Sequence, residues 1–554
     1  MNKKVCSFPI LFALLALLIG TCAVVFPASA QAAPTSAGSI TVSGTVASSY
    51  DAYQIFSANV VDGDSDAKIA TDLAWASDAV RDAALPVLHS AGMPNSQTTA
   101  QEAAEWLNTD SHLTSALSAQ LARSLQSSDA VSVALNAGTA AELPCGYWLI
   151  VADDDAIAQG EAGTAPIMAL VGGSAVTVKP KAATPKVAKH VLEDSTAAWQ
   201  KAADATVADD LYWRLSATVP AGLAAYDTYT VQFVDTIGAG LDSSKVAASM
   251  RVYVAAGADG GFDAVQTGKD GRAGTELAKG WIDITAQCRV SVDGKTFTVR
   301  TGDLIAALGG ADAFTAGARV VAVYNAPLNS ACNHGIAKGN PNEVYLRYPR
   351  SPFADQSGDA GFTRTPSDDA TAYTWDLALT KRGSDGDKPL AGAVLSIADD
   401  RGRTLAADGT WDAGGKATVT TGEDGRVTVS GVDSGKLEVR ELKAPKGYTA
   451  FEGTRSVTVK AEGLDVDQVA AAKPKLTITA ESPLRADSAD GSTGSLEASL
   501  INTPTGTPPS ITTGGFMPST GDMAMYAAAA AAVAGAALIV VALLVKRGGG
   551  SHKE

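Results

Sequence analysis

Residues that could do chemistry are sparse in this chain. Its five histidines, among them His89, His190 and His334, never fall in an HExxH pair, and no GxSxG or P-loop spacing occurs. Asp62, Asp64 and Asp66 alternate as in a calcium loop, but Ala67 stands where that loop needs glycine and Leu73 where it needs its closing glutamate. Cys145, Cys288 and Cys332 lie beyond the N-terminal apolar stretch in an odd set without metal spacing. A Cys288–Cys332 disulfide and free thiols both stay open. Two features remain. Lys381 ends an alternating stretch, TWDLALTK, and a lysine amine becomes a nucleophile when burial lowers its pKa. The pentapeptide MPSTG, Met517 to Gly521, sits just before the uncharged apolar run from Met523 to Val545.

That run is long enough to cross a bilayer, which takes about 20 apolar residues. Lys546, Arg547 and Lys553 follow it and predict a cytoplasmic C-terminus. At the other end, Lys3 and Lys4 precede an apolar stretch from Val5 to Val25 and the small-residue site Ala28-Ser29-Ala30. This pattern predicts an export signal removed before Gln31, with Ala33 a close alternative cleavage point. The arrangement of motif, apolar span and basic tail resembles the LPxTG sorting signal of Gram-positive surface proteins. Met517 replaces the usual Leu, Ser519 fills the variable position, and Pro518, Thr520 and Gly521 match. The resemblance implies that a sortase thiolate attacks the Thr520 carbonyl, cuts before Gly521, and hands the acyl group to an amine.

Length and charge set further limits. The 554 residues leave room for three or four domains between signal and tail. The net charge of −16 argues against nucleic acid as a partner. No residue pattern calls for a cofactor.

The elements that must position the chemistry can be read from periodicity. Between Ile40 and Val178, strand-like ITVSGTV, DAYQIFSANVV, GYWLIVAD, APIMALV and SAVTV flank two Ala-rich helical stretches, DLAWASDAVRDAALPVLHS and TTAQEAAEWLNTDSHLTSALSAQLARSLQ. This predicts a sheet with inserted helices. After the joint KPKAATPK come short alternating strands: YWRLSATVP, YTVQFVDTI, MRVYVAAG, FTVRTG, ARVVAVYNAPL and NEVYLRYP. A β-sandwich follows from their spacing. SPFADQSGDAGFTRTPSDD reads as a polar boundary before a third block of short strands. The expected fold is mainly β: tandem Ig-like sandwiches after an α+β N-terminal domain, with a C-terminal transmembrane sorting helix. The expected divisions are a signal at 1–30, domains at 31–180, 181–355 and 356–505, a spacer at 506–516, and the sorting signal at 517–554.

In the third block, LEVRELKAPKGY is similar to the E-box of Gram-positive pilins, YxLxETxAPxGY. Glu441, Ala444, Pro445, Gly447 and Tyr448 match, while Leu437 and Leu442 depart from it. LTK, LAGAVLSI, this box and INTP together resemble a collagen-adhesin B-repeat domain. That resemblance implies an isopeptide bond between Lys381 and Asn502, assisted by Glu441. Burial favours the neutral forms of both an amine and a carboxyl, and confinement supplies proximity. A protonated carboxyl could then polarise the amide oxygen and shuttle protons as ammonia leaves.

The second block resembles the fimbrial isopeptide-formation domain more loosely. TPKVAKHV maps its bonding lysine to Lys189, YTVQFVDTIGAGL maps its acid to Asp235, and AVYNAPLNSACNHGIAKGNPNEVYLRYP maps its asparagine to Asn342, with Asn340 as runner-up. At the joint, VTVKPKAA is similar to the pilin motif VxVYPKN, with Lys179 in place of Tyr and Ala182 in place of Asn. The resemblance implies that Lys181 attacks the sortase-held Thr of another copy; Lys179 and Lys186 are nearby substitutes.

The chain thus resembles a sortase-assembled major pilin. That implies export, a wall-anchored surface location, and covalent polymerisation with copies of itself through Lys181 and Thr520. It also implies a sortase, peptidoglycan, tip and base pilins and a host ligand of unknown identity as partners, and a structural rather than enzymatic role. A monomeric wall-anchored adhesin, lacking the Lys181 linkage, is the alternative. A surface hydrolase would need a constellation that the sequence does not contain.

Overall fold

The computed structural model describes residues 37–64, 67–109, 111–163, 165–180, 184–257, 261–267, 273–310 and 317–506. The expected signal peptide at 1–30, Asp66, Lys181, the motif Met517–Gly521 and the apolar run after it lie outside them. Strands dominate, and they group around separate apolar cores.

The N-terminal body is built on the long strand Ser49–Asp62, which pairs with Lys68–Trp75, Ser132–Asn136 and Gly146–Ala152; Ile167–Val171 extends the sheet. Both sheet faces are buried, so alternation along each strand divides residues between two cores. Tyr53, Ile55, Leu149 and Val151 face three helices, whereas Tyr50, Ala52, Trp148 and Ile150 face a small sheet of Ala37–Val42, Ala140–Pro144 and Val176–Val178. The helices are Asp78–Ser90, Ala100–Asn108 and Ser115–Gln126. Their starts differ from the sequence expectation. DLAW belongs to a strand because the Ser77 side chain accepts from Val80 N and begins the helix there. The second Ala-rich stretch splits in two: Thr99 and Glu102 form a capping box, and Thr114 caps a separate helix.

The middle body is a sandwich. One sheet runs in the order Ala198–Gln200, Lys186–Glu193, Tyr212–Val219, Ala318–Asn325, Arg251–Ala256 and Ile282–Asp283. The facing sheet includes Gln232–Ile237, Asn340–Pro349 and Asp368–Tyr373 at its centre. Here the expected boundary at 355/356 needs correction. Phe362–Arg364 and Asp368–Tyr373 both pair with Asn340–Pro349, so the middle sandwich continues to Tyr373. Buried Ala370 and Ala372 make that last strand a core element despite its polar approach.

The third body opens at Trp375. Its strand Trp375–Gly383 lies between Arg426–Val432 and, in parallel, Ser495–Pro504. Val394–Ala398, Gly435–Lys443, Thr454–Glu462 and Lys475–Ala480 form the facing sheet. The two sandwiches are locked at their junction. Trp375 Nε1 donates to Asp204 at 2.6 Å, and Arg401 and Arg403 pair with Asp209 at 2.6 and 2.5 Å. Gly431 sits at φ +68°, where a Cβ would stand 2.3 Å from Val207, so the close approach requires glycine.

Candidate functional site: two buried lysine pockets

Each sandwich holds a lysine where an aliphatic residue belongs. Leu377, Leu379 and Lys381 occupy successive inward positions of one strand, and Lys381 is 0% exposed. The parallel register sets Lys381 beside Leu500 and Gly383 beside Asn502, so first and last strands present the amine and the carboxamide to one point. Glu441 comes from the facing sheet, where it pairs with Leu395. Lys381 Nζ donates to Asn502 Oδ1 and lies 3.3 Å from Glu441 Oε1. Asn502 Nδ2 donates to both carboxyl oxygens of Glu441, at 2.9 and 3.1 Å. The Phe451 N–H fixes the carboxyl from behind at 3.1 Å. Burial pulls the Lys381 amine down to about 8, against the opposing pull of Glu441.

The arrangement differs in one respect from the sequence expectation. The carboxyl meets the amide nitrogen of Asn502, because the lysine occupies the amide oxygen. Glu441 therefore stands beside both the Lys381 amine and the Asn502 amide nitrogen.

The middle pocket is drier still. Lys189, Asp235 and Asn342 are each 0% exposed. Lys189 projects from one sheet; Asp235 and Asn342 project from adjacent strands of the other, where Asp235 pairs with Val344 and Asn342 with Ile237. Lys189 Nζ contacts Asp235 Oδ2 directly. Asn342 joins through a residue the sequence reading missed: its Nδ2 donates to Tyr324 Oη at 2.7 Å, Lys189 Nζ donates to the same oxygen at 2.9 Å, and the hydroxyl donates to Asp235 at 3.1 Å. Tyr324 had a signal, since it holds the one hydroxyl on the inward series Val320, Ala322, Tyr324. Asn342 Oδ1 and Asp235 Oδ1 are buried without partners among the described residues. Burial lowers Lys189 to about 8 and raises Asp235 above the usual carboxylate range. Asn340 takes a different part. It bonds Asn333 at both ends of its amide and the Ala372 carbonyl, so it holds a loop.

Other predicted residues fall as follows. Lys179 and Lys186 flank the joint and are exposed. Among the described residues Cys145, Cys288 and Cys332 form no disulfide, so Cys288 and Cys332 are not joined to each other. Asp62 spends its carboxylate on Ser174 and Lys68. Among the described residues no cluster of His, Cys, Asp and Glu has metal-holding geometry.

Comparison with known proteins adds the following. Residues 376–473 match the family described as "SpaA: Prealbumin-like fold domain". The trypsin-resistant surface T6 protein of Streptococcus pyogenes serotype M6 is 30% identical over 143 residues, and the match covers 24% of each chain. The matched part is thus about a quarter of that relative's length. Among solved structures, the T6 backbone pilin of serotype M6 S. pyogenes aligns with a TM-score of 0.45 at 16% identity, covering 86% of this chain and 100% of that one. The full-length major pilin SpaD of Corynebacterium diphtheriae aligns at 0.39 and 15%, covering 84% and 97%. BcpA, the major pilin subunit of Bacillus cereus, aligns at 0.38 and 11%, covering 85% and 99%.

Proposed function

We propose that this chain is the structural shaft subunit of a covalently polymerised surface fimbria, carrying two self-formed Lys–Asn amide bonds. The observation that carries the proposal is the pair of dry pockets, each holding a lysine, an acid and an asparagine in one core. In the third body, Lys381 gives a proton to Glu441, and its neutral Nζ attacks Asn502 Cγ. The Cγ–Nδ2 bond breaks as Glu441 gives that proton to the departing nitrogen and takes the second proton from Nζ, so the products are an amide N–H, free ammonia and a protonated Glu441. In the middle body Asp235 plays the acid between Lys189 and Asn342, with Tyr324 holding all three. No cofactor enters and no turnover follows.

Such bonds suit a fibre. The third-body bond ties the first strand of its sandwich to the last, so tension along the chain meets a covalent link; non-covalent domains offer only about 5–15 kcal/mol against unfolding. An open contact repeated along one axis makes a filament. Here its covalent form would be an amide between Lys181 of one copy and Thr520 of the next, made by a sortase. A wall-bound base, a tip subunit and a host ligand complete the expected set of partners.

The test is a denaturing gel of wall extracts from cells expressing wild type or Lys181→Ala. A high-mass ladder that vanishes in the variant supports the shaft and its linking lysine. A ladder in both moves the linkage to Lys179 or Lys186. A single monomer band in both overturns the shaft and leaves an adhesin anchored through Thr520.

A further inference from the structure

The chain is acidic overall, yet one cleft is lined by three arginines. It lies where the N-terminal and middle bodies meet, with a volume of about 530 Å³, between Ile157 and Gln159 on one side and Tyr345, Arg347, Arg350, Phe362 and Arg364 on the other. Antiparallel pairing sets Arg347 directly opposite Arg364. Like charges facing each other across a ladder are destabilising unless something compensates them. Two aromatic rings hold the pair in place: Arg364 lies 5.1 Å over the Tyr345 ring and Arg347 lies 5.9 Å over Phe362. Stacking covers one guanidinium face and leaves the N–H edge to recruit an acceptor.

Internal partners do not use up this charge. Arg347 gives one terminal nitrogen to the Asp359 carboxylate at 2.9 Å, a side chain 80% exposed, and the other to the Asp359 carbonyl at 3.2 Å. Arg350 donates to the Asp154 carbonyl at 3.3 Å, near that residue's carboxyl. The Arg364 guanidinium has no hydrogen bond or ion pair among the described residues. The walls are fixed, since Gly160 N donates to Thr363 Oγ1 and Tyr348 Oη to the Gly160 carbonyl, both at 2.8 Å.

We propose that this cleft binds an acidic sugar residue, one bearing a carboxylate or a sulfate. The Arg364 guanidinium edge would take the planar anion in forked hydrogen bonds, with Arg347 opposite it adding positive charge. The cleft is far larger than one oxyanion and falls in the size range of small-molecule sites. Ile157 and the Tyr345 ring offer apolar surface to a sugar ring, and the Gln159 amide offers donors and an acceptor to its hydroxyls. This reading is independent of cross-linking and of polymerisation.

The test is titration of the full extracellular chain with sialyllactose, a sulfated heparin disaccharide, neutral lactose, inorganic sulfate and a short polyglutamate peptide, at about 0.05 and 0.3 M salt. The expected result is binding of one or both acidic sugars and none of lactose. Arg364→Gln should weaken it about tenfold or more, and Arg364→Lys less, because charge remains but the fork is lost. Carboxylate and sulfate sources are told apart by which sugar binds. Absence of binding, affinity unchanged in Arg364→Gln, inorganic sulfate binding as tightly as the sugars, or a short polyglutamate peptide binding more tightly than either sugar would each overturn the assignment.

Discussion

Replacing Lys381 with Met should expose how much the third-body bond contributes. The bond would join residues 121 positions apart. Closing a loop of that length in the unfolded chain corresponds to about 5 kcal/mol of stabilisation. Methionine keeps the apolar stem and removes the amine, and Glu441→Gln is made alongside it, because removing one member of a buried pair alone would itself cost about 3–5 kcal/mol whereas neutral replacement of both is close to neutral. The loss should therefore be mostly that of the cross-link. For a body of this size it lowers the melting temperature by on the order of 15–20 °C. The assay is calorimetry of a chain spanning residues 31–516, following the transition of the third body, with trypsin digestion in parallel. New cleavages between Trp375 and Pro504 should accompany the shift. A drop under about 3 °C with unchanged trypsin resistance would refute the reasoning, because so small a change corresponds to less than about 1 kcal/mol.

Tyr324→Phe removes the hydroxyl that gathers Lys189, Asp235 and Asn342, so the middle bond should form at least about tenfold more slowly after refolding, read as delayed loss of about 17 Da. Asn340→Ala should loosen the Asn333 loop yet leave that bond intact, as a peptide map would reveal. Both lysines are lowered to about 8 and the proposed bond needs a neutral amine, so cross-linking of freshly refolded chain should quicken as pH rises to about 8 and then level off; a rate flat in pH would contradict this. At the junction, burial and the neighbouring Asp204 push Glu193 from 4.5 up to about 8, while Asp194 and Asp433 are also raised. The folded state then holds the extra proton, so this stability is present below pH 4.5 and is lost as pH rises through 8. Melting temperature should fall over that window, and Glu193→Gln should flatten the fall.

Much of the scaffold was legible because alternation is a local signal. Each strand expected in the middle block is found, and the alternation in DAYQIFSANVV and GYWLIVAD serves two cores at once. Helix starts were misjudged where hydrophobic spacing was read without its caps: Ser77 and Thr114 set the limits. The 355/356 boundary failed because Gly, Asp and Pro around FTR and DDATAY disguise two strands whose partners are remote in sequence. The third-body triad was legible through its E-box. The middle triad needed register. Asn340 and Asn342 stand two apart and share a strand face, so periodicity cannot choose between them; the Asn333 loop claims the first. Tyr324 acts across the gap between sheets, a relation that local pattern does not encode.

The most direct test of the two pockets is the intact mass of a chain spanning residues 31–516 under denaturing conditions. The account predicts a mass about 34 Da below that of the sequence, one ammonia lost per bond. Peptide mapping should then find Lys381 joined to Asn502 and Lys189 joined to Asn342. A mass equal to that of the sequence would contradict it, leaving both lysines as buried but unbonded amines.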